Sequence, residues 1–221
     1  MTRKATGRTR KAAVRSSGDP SAAKLAAKDW VDGASELLID ENIRGVRIAA
    51  LCHRLGVTKG SFYWHFGSRQ DLLDAILDAW RKKNTLNVMS RIVSMAAPLR
   101  SLRGLLALPR RAASARGARV EMSVRDWARR DDATFRSLRE IDHTRLRSFE
   151  QLFLRLGFAG RDAKARAYVA YAVMMGDSVL KDTIGGEAPA ETYLDTAIGL
   201  LTAPPAAART GGGKRTAQPA H

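Results

Sequence analysis

Residues 48–66 read IAALCHRLGVTKGSFYWHF, two short stretches of apolar periodicity on either side of one glycine. Counted from Ile48, Cys52 is fifth, Gly56 ninth, Val57 tenth and Phe62 fifteenth, with Leu51 and Leu55 fourth and eighth. Each of these places carries a physical demand. The fifth lies where two helices cross closely and must be small; the ninth turns the chain at positive φ, which glycine accepts without a Cβ clash. The apolar places make the seam between the helices. Thr58 offers an N-cap to the second helix, and Lys59, Gly60 and Ser61 fill its first turn, the part that meets base edges when such a helix enters a major groove. The spacing predicts a helix-turn-helix.

The surrounding charge points the same way. No acidic residue occurs between Glu41 and Asp71, whereas Arg44, Arg47, Arg54, Lys59 and Arg69 are basic. Phosphates dominate protein–DNA affinity, so a surface that reads DNA should be free of carboxylates. Phe62 and Phe66, four apart, take the inner face of the second helix. Tyr63 and Trp64 then project outward, where a phenol can donate to phosphate and an indole can touch a thymine methyl or a sugar; a purely structural surface seam is the alternative.

On these residues, and on the longer run LGVTKGSFYWHFGSRQDLL, the chain resembles the TetR family of bacterial regulators, with matching places from Ile48 to Leu73 and weaker likeness from Ala23. The resemblance implies phosphate contacts from Thr58, Tyr63, His65 and Arg69, and places Lys59, Gly60, Ser61 and Trp64 near bases. It also implies a helix after the motif that carries ligand-induced motion to the reading heads, and a dimer built on two C-terminal helices. Two departures stand out. Arg47 replaces the Ser or Thr that caps the first motif helix in the family, and Arg47 is itself a candidate phosphate contact; Asn42 replaces the glycine after the preceding helix, and Asn is the next-best residue for a left-handed turn.

Composition narrows the rest. The 221 residues suffice for a sizeable core, and no run approaches the roughly eighteen uninterrupted apolar residues of a membrane span. The first twenty residues are basic and polar without an apolar segment, so the cytoplasm is the expected place and no membrane is expected as a partner. The single cysteine, Cys52, allows no internal disulfide, and His53, His65, His143 and His221 show no metal-ligand spacing. No metal and no cofactor are expected. The formal net charge is +16; residues 1–21 carry six basic and one acidic residue, and residues 202–221 three and none, so half of the excess sits at the two ends. A basic chain suits a polyanion.

Taken in order, Met1–Pro20 reads as a disordered basic arm, able to follow phosphates or equally to be an inert tail. A helix with Ser21 as N-cap is expected to end near Asp40, with a loop over 42–46. Ser68 caps a helix that runs outward, to about Ala97. Gly104 and Pro109 are expected to interrupt a helical stretch over 99–115. A short amphipathic helix follows at 121–130, then a long one capped by Asp131-Asp132 and closed by Gly157, then an alanine-rich helix over 161–183. Pro189 suits the first position of a last helix, and a flexible tail follows it. No strand alternation is sustained, so the fold class is all-α, with about nine helices.

The expected organisation is therefore a basic arm (1–20), a three-helix helix-turn-helix DNA-binding domain (21–67), a helical effector-binding and dimerisation domain (68–202) and a basic tail (203–221). Met122, Trp127, Phe149, Phe153, Tyr171, Met174 and Met175 are candidate lining for a small-molecule pocket, with plain core as the alternative. No phosphate loop, nucleophile elbow or metal cluster is visible, so no enzyme is expected. The functional expectation is a homodimeric repressor that binds a palindromic double-stranded DNA operator and is released by a small effector. The other reading is an architectural protein that coats DNA through its basic tails.

Overall fold

The computed structural model describes residues 25–83, 97–111, 115–187 and 189–204. The described residues form nine α-helices and no strand: α1 (Ala27–Gly45), α2 (Ile48–Leu55), α3 (Lys59–Tyr63), α4 (Arg69–Arg81), α5 (Pro98–Leu106), α6 (Ala115–Ala128), α7 (Asp132–Arg155), α8 (Gly160–Ile184) and α9 (Ala190–Thr202). Short 3₁₀ turns at Leu108–Arg110 and Gly185–Glu187 follow α5 and α8. The all-α expectation and the helix count hold.

Several boundaries differ from the sequence reading. Ser21, the basic arm and the chain from residue 205 lie outside the described residues. The first helix starts only at Ala27, where Asp29 accepts from the Ala26 amide at 2.8 Å. Gly104 does not interrupt α5; packing of Leu102, Leu105 and Leu106 outweighs the weak helix preference of one glycine. The break comes at Pro109, in the 3₁₀ turn. The helix expected over 121–130 is the fourteen-residue α6. Pro189 is the N-cap of α9 rather than its first residue. Beyond Arg81 the expected extension of α4 falls mostly on residues outside those described, and at its far end Ala97 is extended and precedes α5.

Caps behave as their chemistry predicts. The Ser68 hydroxyl accepts from the Asp71 amide at 3.1 Å, and Asp71 in turn accepts from Ser68 Oγ and the Gly67 amide. Asp131 accepts from the Thr134 amide at 2.7 Å and starts α7; that bond holds the Asp131 carboxyl below the usual carboxylate range. Gly157 at φ 92 ends it.

Among the described residues two apolar clusters fill the interior. The first joins Trp30, Ala34, Leu37 and Leu38 of α1, Leu51 and Cys52 of α2, Phe62, and the α4 stripe Leu72, Leu73, Ile76, Leu77 and Trp80 to Val120, Val124 and Trp127 of α6 and Leu138 and Ile141 of α7. It crosses the boundary expected at residue 67. The second packs α5, the C-terminal half of α7, α8 and α9 around Phe149, Leu152, Phe153 and Met174. Ala163, Ala167 and Ala170 are buried on α8; these small side chains let it lie close to its neighbours. α7, about 36 Å long at 1.5 Å per residue, belongs to both clusters.

Candidate nucleic-acid interface

The turn between α2 and α3 follows from one residue. Gly56 adopts φ 67 and ψ 31, the left-handed region, and the Val57 amide reaches back to the Cys52 carbonyl at 3.0 Å, closing the end of α2. Thr58 then caps α3, its hydroxyl oxygen accepting from the Ser61 amide at 3.4 Å. Cys52 is buried at the crossing; burial pushes its thiol up, with Lys59 acting the other way. A buried, protonated thiol packs as a small apolar group.

Behind α3 stands a ring cluster. Trp30 meets Phe62 edge-on at 5.5 Å, and Phe62 stacks with Phe66 at 5.6 Å. This anchors the inner face of α3 and leaves the outer one free. Trp64 is 88% and Tyr63 58% exposed, and Arg47, Thr58, Lys59 and Gly60 are exposed beside them. Ser61 and His65 are half-buried, the His65 ring lying tilted on Trp30 at 6.0 Å. Of the carboxylates flanking this stretch, Asp71 is held in the α4 cap and Asp40 pairs with Arg54 at 2.7 Å. Arg47 occupies the N-cap of α2 and makes no side-chain cap bond.

Arg69 stands apart from the other candidates. Its guanidinium turns inward, donating from Nε to the Val46 carbonyl at 2.5 Å and from Nη2 to the Ile43 carbonyl at 2.7 Å.

The seven candidate pocket residues do not form one chamber. Phe149, Phe153 and Met174 are buried in the second cluster, and Tyr171 and Met175 pack against it. Trp127 belongs to the first cluster, and Met122, half-buried on α6, belongs to neither. An open cleft of about 480 Å³ lies elsewhere, lined by Arg125, Asp126, Ala128, Arg129, Phe135 and Leu138.

Between the two clusters lies an ionic group that periodicity did not disclose. Glu121 Oε1 accepts from Arg125 Nε and Arg145 Nη1, both at 2.9 Å, and Oε2 accepts from Arg145 Nη2 at 2.9 Å and from the Trp80 indole at 3.0 Å. Asp142 accepts two bonds from Arg125, at 2.7 and 3.0 Å, and the Tyr171 hydroxyl donates to it at 2.6 Å. The Glu121 and Arg145 side chains are only 7% and 5% exposed. Burial by itself would raise the Glu121 pKa, but Arg145 and Arg125 outweigh it and hold the carboxyl below the usual range. Burial chiefly, helped by Asp142, pushes Tyr171 up to about 12. Two arginines and two carboxylates balance, and the group reaches α4 through Trp80.

Residues 31–76 match the model of the family described as bacterial regulatory proteins, tetR family. Over 56 residues the chain is 39% identical to the tetracycline repressor protein class C of Escherichia coli, a stretch covering 25% of this chain and 26% of that one. It spans between about a quarter and a third of the length of the curated relatives it matches. The fold over 80% of the chain is similar to that of a transcriptional regulator from Rhodococcus sp. Rha1 (TM-score 0.67, 19% identity, 96% of that chain covered). It is also similar to the regulator FadR from Bacillus subtilis, solved with stearoyl-CoA (TM-score 0.63, 14% identity, 80% and 98%).

Proposed function

We propose that this chain, whose residues 31–76 match the model of the tetR family of bacterial regulatory proteins, is a TetR-family homodimeric repressor that reads a palindromic operator and is released by a small-molecule effector. The observation that carries the reading is the outer face of α3. Tyr63 and Trp64 stand exposed beside Thr58, Lys59 and Gly60, in a stretch that carries no acidic residue between Glu41 and Asp71. Adjacent exposed aromatics mark a surface suited to an interaction, and a groove of stacked bases lined by phosphates offers one. Lys59, Gly60, Ser61 and Trp64 are assigned to bases; Arg47, Thr58, Tyr63 and His65 are assigned to phosphates.

Dimerisation is supported by α8. Ala165, Tyr168, Val169, Ala172, Val179 and Leu180 recur at helical spacing and are exposed, and Leu200 of α9 is 73% exposed. A paired copy would cover this stripe and set two heads at half-sites about 34–36 Å apart, or a multiple of that spacing. The effector is assigned to the side of the ionic group formed by Phe149, Phe153, Tyr171, Met174 and Met175. A molecule bound there favours whichever arrangement it fits better, and only that difference in affinity shifts the heads.

Selection of binding sites from a randomised duplex pool tests the function. Enrichment of an inverted repeat, with the enriched duplex binding at least a thousandfold more tightly than random competitor, is expected. A pool that remains random sinks the repressor reading in favour of a protein that coats DNA through its basic ends.

A further inference from the structure

The backbone that enters the reading unit is poorly held by its own helices. Asn42, at φ 58 and ψ −171, breaks the ladder of α1. The Arg47 amide folds back to the Gly45 carbonyl at 2.7 Å, and Arg47 gives α2 no side-chain cap. The Ile43 and Val46 carbonyls lie in this break, where helical partners are missing. Each receives a donor from the one guanidinium of Arg69, more than twenty residues further along the chain. Arg69 is the first residue of α4, directly after the reciprocal Ser68–Asp71 cap, so its backbone is itself fixed.

We infer that Arg69 is a positioning residue for DNA reading: it joins the start of α4 to the turn before α2 and so sets where α2 and α3 stand, without itself touching phosphate. This rests on the DNA-reading role proposed above. The rigid planar fork of arginine can serve two carbonyls at once from Nε and Nη2. A guanidinium spent in this way on the protein's own backbone has its charged plane directed inward. Any displacement of α4 therefore reaches α2 through hydrogen bonds as well as through apolar packing.

The test compares wild type, Arg69→Lys and Arg69→Ala on two duplexes, one enriched by the wild-type protein and one of random sequence, over a series of salt concentrations. Lysine keeps the charge and loses the fork. A positioning role predicts that Arg69→Lys weakens binding to the enriched duplex about tenfold or more, as loss of charge-assisted bonds would. It also predicts that the slope of log affinity against log salt stays at the wild-type value in both variants. Hydrogen exchange of amides 46–52 should quicken in Arg69→Lys while circular dichroism stays native, which reads the clamp in free protein. Wild-type affinity in Arg69→Lys, or a slope reduced by about one in Arg69→Ala as a lost phosphate contact requires, would overturn the inference. Wild type binding both duplexes alike removes the operator reading, yet the slope comparison still decides the role of Arg69. No binding to either duplex removes both.

Discussion

The Trp80 indole donates to Glu121 across 3.0 Å, joining the last turn of the helix behind the reading head to a carboxylate that two arginines also claim. Arg145 further lies over the Trp80 ring, 5.7 Å from its centre. Breaking this group at the carboxylate should be far more damaging than breaking it at the indole. Glu121→Gln leaves two arginines facing one remaining carboxylate in a buried place, and removal of one partner of such a pair costs about 3–5 kcal/mol. Trp80→Phe keeps the ionic bonds and loses one donor and some volume, for about 1–2 kcal/mol. Urea denaturation followed by circular dichroism separates the two; equal costs would contradict the geometry.

Acid should act on the same group. The Glu121 carboxyl titrates lower in the folded chain than in the unfolded one, so its contribution is full above the unfolded value of about 4.3. It is lost as pH falls from there through the folded value. Unfolding free energies of wild type and Glu121→Gln, measured from pH 7 to pH 3, should converge toward the acid end. A constant difference across that range would count against an ionised Glu121.

Within the head, two glycines should respond differently to alanine. At Gly56 a Cβ meets nothing within 4 Å, so only the left-handed backbone resists, at about 1–2 kcal/mol. At Gly45 a Cβ would fall 2.2 Å from Glu41 Cβ. Backbone has to move there, and that backbone also carries the carbonyls Arg69 holds on either side. Thermal unfolding should show Gly45→Ala the more destabilised, and operator affinity should fall more steeply in it as well.

On the outer face, Lys59→Ala should change which bases are preferred, because Lys59 lies in the first turn of α3. Tyr63→Phe should instead weaken all sequences alike by about fivefold, one hydrogen bond of about 1 kcal/mol. Site selection repeated with each variant distinguishes them.

For assembly, Val179→Glu combined with Leu180→Glu places two charges in the exposed stripe of α8. Sedimentation should then give half the wild-type mass with native helical content. An unchanged mass would move the interface elsewhere.

The reading head was largely legible in the sequence because its constraints are local. Gly56 at positive φ, Thr58 as cap, Cys52 at the crossing and the inward pair Phe62 and Phe66 each follow from spacing along a few residues, and each is found in place. The ionic group was not legible. Glu121 and Arg125 stand four apart and Asp142 and Arg145 three apart, a pattern shared with the solvated pair Arg130 and Asp126 on the same stretch of chain. What buries one pair and leaves the other wet is the approach of α8 and of Trp80, contacts made 26 and 65 residues from Arg145. The inward bonds of Arg69, which the resemblance places at phosphate, were hidden for the same reason: its partners at 43 and 46 belong to another element. Phe149 and Trp127, both expected along one pocket, fall in different apolar clusters, a division that apolar periodicity does not carry.

The first apolar cluster has a bearing on protein engineering. Leu37, Leu38 and Trp80 share one interior with Val120, Val124 and Trp127, so the helix-turn-helix is not an interchangeable cartridge. Cut after Gly67 and fused to an unrelated sensor, it would leave Trp30 and Leu38 under a roof missing both α4 and α6. A chimera that keeps its specificity has to bring α6 along, or a helix shaped like it, together with the salt link from Arg116 to Glu36. Recombination between relatives should tolerate breakpoints beyond the first half of α7 far better than any at the edge of the motif itself.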